Sequence, residues 1–98
     1  MTRVFKERGE LCVWIEIRKD GDLLLSGQDL RGFMGADEYE YFITVHPEDF
    51  PTIRAALGGS PDEDIVELMC AHADVIISVG EATWLKGLGI TYDFANYF

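Results

Sequence analysis

At 98 residues the chain is sized for one hydrophobic core and not two, and no apolar run approaches the ~20 residues of a membrane span. Its net charge of −10 disfavours nucleic acid and anionic membrane surfaces as partners and favours basic ones. That charge is unevenly placed. Residues 1–31 balance Arg3, Lys6, Arg8, Arg18, Lys19 and Arg31 against Glu7, Glu10, Glu16, Asp20, Asp22 and Asp29, whereas residues 32–98 set only Arg54 and Lys86 against twelve acids.

The opening segment MTRVFKERGE has no apolar stretch of the kind a secretory signal needs, so the sequence reads as cytoplasmic. Cys12 and Cys70, far apart in a reducing compartment, then read as reduced core thiols. The first regular period begins at Leu11. Leu11, Val13, Ile15 and Ile17 alternate with Cys12, Trp14, Glu16 and Arg18, the period of a half-buried strand. Lys19-Asp20-Gly21-Asp22 marks a hairpin. The second strand, residues 23–28, opens on three leucines that suit either face. A three-residue turn ending at Gly21 sets Leu23 opposite Ile17 and Leu25 opposite Ile15, placing two leucines rather than one on the apolar face. That register is favoured over a two-residue turn. It also sets Gly27 opposite Val13, leaving room for a group packed above the sheet.

Residues 29–36 read as a loop, with no phosphate-binding spacing. Residues 37–46 read as the third strand, Tyr41, Ile43 and Val45 alternating with Glu40, Phe42, Thr44 and His46. Pro47 stops it, and Glu48 and Asp49 suit the positive end of a new helix. A first helix begins near Asp49 or Phe50 and ends at Gly58-Gly59. Ser60, Pro61 and Glu63 form a capping box for a second, with Ile65, Leu68, Met69 and His72 as its buried stripe and Asp64 and Glu67 on the other side. Residues 75–79 suit a short strand or a buried connection. Ser78 and Glu81 form a weaker box for a third helix ending at Gly87 or Gly89, and residues 90–98 alternate as a last strand. The pattern is α+β, in the order β-β-β-α-α-α-β: a four-stranded, mostly antiparallel sheet with about three short helices on one face, in a single domain spanning residues 1–98.

Little in the chain suggests chemistry. Cys70 and His72 are two apart on a helix and point in different directions, so no metal site is expected. His72 reads as a core histidine and His46 as the end of a strand. Glu38 and Glu40 share a strand face as the acids of a glycosidase might, but a glycosidase needs a cleft that a core of this size hardly permits. Gly-x-Ser-x-Gly, a Cys–His pair and a phosphate cradle are all missing. No cofactor is implied, and the chain reads as non-enzymatic. The aromatics carry more. Trp14 points away from the Leu11–Ile17 apolar positions, and Phe42 points to the same side if Ile43 and Val45 face inward. A sheet covered by helices on one side leaves that pair on its bare side, unless residues 30–36 or the N-terminal segment cover it.

The segments SGQDL (26–30), DEYEYFITV (37–45), WLKGLGI (84–90) and YDF (92–94) resemble a family of small, uncharacterised bacterial proteins associated with toxin–immunity loci. The likeness runs from about Asp22 onward and assigns no individual residue a role. It implies an immunity- or antitoxin-like binding module. The expectation is therefore a protein that binds a basic partner such as a toxin domain, steered by Asp37, Glu38 and Glu40 with Asp62, Asp64 and Glu67, and anchored by Trp14 and Phe42. A homodimeric structural or regulatory module using the Trp14/Phe42 face is a second reading, and a small enzyme a third.

Overall fold

The computed structural model describes residues 2–8, 11–29 and 39–97. Among them five strands form one antiparallel sheet in sequence order: β1 (Thr2–Arg8), β2 (Leu11–Ile17), β3 (Leu23–Asp29), β4 (Tyr39–Val45) and β5 (Asp93–Tyr97). A 3-10 turn (Pro47–Asp49) and four helices separate the last two strands: α1 (Phe50–Ala56), α2 (Ile65–Ala71), α3 (Ala73–Val79) and α4 (Glu81–Gly87). The α+β class and the antiparallel sheet match the expectation. The count and order do not, since there are five strands rather than four, four helices rather than three, and the order is β-β-β-β-α-α-α-α-β. No helix among the described residues is long and apolar enough to cross a membrane.

The strand absent from the sequence reading is β1, and a bulge explains why. Val4 pairs with Trp14 and Lys6 with Val13, so Phe5 is an extra residue in the ladder. A bulge shifts the side chains that follow it by one face. Val4, 53% exposed, and Phe5, 5% exposed, still alternate, and the period of two breaks between Phe5 and Lys6, which both face the helix side. Arg3 lies across from Ile15 and Lys6 across from Val13, on the helix side, where they form ion pairs with Glu67 of α2 and Asp74 of α3. The bulge also disrupts an edge that would otherwise be open to pairing with another strand.

The hairpin adopts the favoured register, Ile17 with Leu23, Ile15 with Leu25 and Val13 with Gly27. The Arg18 amide donates to the Asp22 carbonyl at 2.8 Å, the Gly21 amide donates to the Arg18 carbonyl at 2.9 Å, and Gly21 takes the left-handed φ of 92° that such a turn requires. Leu23 and Leu25 are fully buried. They join Val13, Ile15, Ile43 and Val45 from the sheet with Ile53, Ile65, Met69, Ile76 and Leu85 from the helices in a single core. All four helices thus lie on one side of the sheet. Tyr41, on that same side, fills the space above Gly27 and donates from its hydroxyl to the buried carboxylate of Glu81 at the start of α4.

The helices differ from expectation at their starts. Glu63 does accept from the Ser60 amide at 3.2 Å, but that box closes a turn rather than a helix. The cap of α2 is Asp64, four residues later, whose carboxylate accepts from the Val66 and Glu67 amides at 2.9 and 3.1 Å. Asp64→Ala is therefore expected to lower stability by about 1 kcal/mol, and Ser60→Ala by less, as read from urea unfolding midpoints. Residues 75–79, with three valines and isoleucines in succession, are helical because Ile76 is wholly buried while Val75 and Val79 face outward. Ser78 lies inside α3, and α4 starts after Gly80 without a side-chain cap. The ends are as expected. Gly58 and Gly59 close α1 by donating to Ala55 and Arg54, and Gly89 and Ile90 close α4 by donating to Lys86 and Leu85. Ile90 belongs to that stop and not to the last strand, which begins at Asp93.

Candidate functional site

Alternation along five paired strands determines what is displayed on the side of the sheet that none of the described helices covers, the helix-free side. Across its middle runs one row set by the registers: Val4, Trp14, Ser26, Phe42 and Ala95. Trp14 and Phe42 lie two strands apart, about 10 Å, with only the small Ser26 between them. One flanking row holds Thr2, Glu16, Leu24, Thr44 and Asp93, and the other Glu7, Cys12, Gln28 and Glu40. The face thus has an apolar centre of Val4, Trp14, Leu24 and Phe42, ringed by the carboxylates of Glu7, Glu16, Glu40 and Asp93. No Lys or Arg occupies a described strand position on it. Arg18 and Lys19 border it at the hairpin end, where they line a shallow depression with Glu16, Asp20 and Leu24.

The side chains singled out from sequence do not all gather here. Trp14, Phe42 and Glu40 do, all half-buried. Asp37 and Glu38, and residues 30–36 that were weighed as a cover, lie outside the described residues. The N-terminal segment does not cover the face, since it is the edge strand of the same sheet. Asp62, Asp64 and Glu67 belong to the helical layer, on the opposite side of the sheet from Glu40. Asp64 is occupied as a cap and Glu67 is paired with Arg3. The acidic patch expected from sequence is therefore divided between two faces. Glu16 shares the parity of Trp14, so alternation alone marks it as a face residue. Alternation in the last strand sets Asp93 opposite Phe94 in parity, so it too is legible there, whereas Glu7 carries no such signal because the bulge sets the phase of β1.

Neither thiol is activated. Burial, helped by Glu7, pushes the Cys12 thiol upward, and burial is the main cause raising Cys70. Both are free and half-buried, rather than core residues. His72 is likewise half-buried, its Nδ1 3.1 Å from the Leu68 carbonyl. His46 lies between two carboxylates, Nδ1 3.1 Å from Asp22 Oδ1 and Nε2 3.2 Å from Asp93 Oδ2. Its pKa is raised, first by the hydrogen bond and charge of Asp22 and then by Asp93.

No family model, curated protein or solved structure matches the chain. The arrangement defines a class in physical terms only: an α+β domain with one helix-covered sheet face and one aromatic, acid-rimmed face.

Proposed function

We propose that this chain is a non-catalytic protein-binding domain whose docking surface is the helix-free face of the sheet. Its partner is a basic protein surface with an apolar projection. The observation that supports this most is the company Trp14 and Phe42 keep. Half-buried aromatics at the centre of a surface are the residues that anchor interfaces. A rim of Glu7, Glu16, Glu40 and Asp93, lacking Lys or Arg at its described strand positions, attracts positive charge at long range. An immunity- or antitoxin-like protein that neutralises a basic toxin domain is the specific form of this reading, and the toxin–immunity resemblance favours it. Self-association through the same face is less favoured, because it would set the rim carboxylates against their copies.

Charge reversal separates this face from the helical acids. Immobilised wild-type protein is expected to retain a partner rich in Lys and Arg that raised salt releases. Glu16→Lys with Glu40→Lys is expected to lose that partner, while Asp62→Lys, an exposed turn residue on the helix side, keeps it. Retention by the double variant and loss by Asp62→Lys would place the binding surface on the helices instead.

A further inference from the structure

We propose that His46 is a pH-sensitive clasp that fastens the start of β5 to the sheet. The imidazole sits where β4 runs out, and its two nitrogens reach carboxylates on two other elements, Asp22 at the end of the β2–β3 hairpin and Asp93 at the first position of β5. Nothing else in the chain joins these three segments through one side chain among the described hydrogen bonds. Only the imidazolium has two N–H donors, so only the protonated ring satisfies both acids at once. The neutral ring has one N–H, and its other nitrogen presents a lone pair to a carboxylate.

The two bonds are unequal, and this decides which end opens. The Asp22 side chain is 18% exposed and that of Asp93 is 73% exposed. Asp22 is also held by its backbone, its amide donating to Asp20 Oδ1 at 3.0 Å and its carbonyl accepting from Arg18. On losing a proton the ring keeps Nδ1–H on Asp22 and turns a lone pair toward Asp93, so the β5 end is released. β5 is one of the two outer strands, paired among the described residues on one side only, to β4. Its release bares the edge of β4.

The direction with pH follows from the charges around the ring. Asp22 from the hairpin and Asp93 from β5 are the charged groups acting on it. Among the described hydrogen bonds Arg18 meets Asp22 through its backbone amide only, and Glu48 and Asp49 follow His46 in the 3-10 turn. The folded-state pKa lies above the ordinary 6.5, so folding favours the bound proton. The clasp contributes fully below about pH 6.5 and is lost as the pH rises through the raised value.

The test is NMR on the full chain, combining the His46 ring titration with amide exchange of Asp93–Ala95 measured relative to Leu23–Leu25 across the same pH range. The expected result is a wild-type titration above 6.5 that falls in both Asp22→Asn and Asp93→Asn. Relative protection of the β5 amides should drop as the pH rises through the wild-type value, by about tenfold for each pH unit separating the wild-type and Asp93→Asn titrations. In Asp93→Asn it should be low and independent of pH. A ring that titrates alike in wild type and Asp93→Asn would overturn the proposal. So would β5 protection that ignores pH in the wild type. Asp93 is exposed, so its variant is expected to fold, and the Leu23–Leu25 amides report within the same sample if it does not.

Discussion

Phe5→Ala is expected to cost about 3–5 kcal/mol of stability, while Val4→Ala, its immediate neighbour, should change stability by less than about 0.5 kcal/mol. The contrast follows from alternation past the Val4–Trp14 pair, and the bulge decides only where Lys6 falls. Without it, Phe5 would alternate with Val4 and Lys6 in a regular edge strand, and Lys6 would turn to the open face. Either way Phe5 faces the core, at 5% exposure, and Val4 the open side, at 53%. The same bulge lets Lys6 join Arg3 on the helix side, where they meet Asp74 and Glu67. Those ion pairs are at least partly exposed, so each adds little on its own. Phe5 is what ties β1 to the rest. Urea unfolding of the two variants decides the matter. Equal costs, or a larger cost for Val4→Ala, would mean that β1 is not phased as described.

Gly27→Ala is expected to destabilise by about 2–4 kcal/mol, the combined effect of a displaced aromatic ring and a buried acid left without its donor. A Cβ at Gly27 would lie 2.0 Å from Tyr41 Cζ and 2.5 Å from its hydroxyl oxygen. Those atoms are the far end of a side chain, so the ring can move, but moving carries it off Glu81, which is 8% exposed. It also disturbs the stacking of Tyr41 on Phe94, where the ring centroids are 6.3 Å apart. The cause is separable by a double-mutant cycle. In a Tyr41→Ala background the added methyl has no ring to displace, so Gly27→Ala should cost much less there. Strictly additive costs would show that the methyl is excluded by the backbone rather than by Tyr41.

These two sites mark where the sequence is readable and where it is not. The room above Gly27 follows from the hairpin register, and the register from asking which turn buries more leucine. Tyr41 as the occupant does not follow, because it depends on how β4 aligns with β3. The side of Trp14 and Phe42 is readable from alternation within each strand. The phase of β1 is not, since one unpaired residue erases the alternation in a segment of seven. Residues 75–79 look like a strand because β-branched residues favour one, and only the burial of Ile76 against the core makes them helical. The cap of α2 is obscured by competition. Ser60, Asp62 and Asp64 are all good N-caps, and the choice among them depends on where Ile65 meets the sheet. The division of the acidic patch is long-range in the same way. Glu40 and Glu67 look equivalent by composition, and only the sheet between them separates their faces.

The central claim is that partners dock on the helix-free face. It is tested most directly by placing a photo-crosslinking aromatic residue at Val4 in one variant and at Val75 in another. The two positions are matched in exposure, at 53% and 57%. Val4 lies in the row with Trp14 and Phe42, and Val75 lies on α3 in the opposite layer. Irradiation in cells is expected to give a discrete adduct with a basic protein from the Val4 position and none from Val75. The adduct should disappear when Trp14 and Phe42 are both changed to serine. An adduct formed from Val75 alone, or one from Val4 that survives loss of both aromatics, would contradict the account.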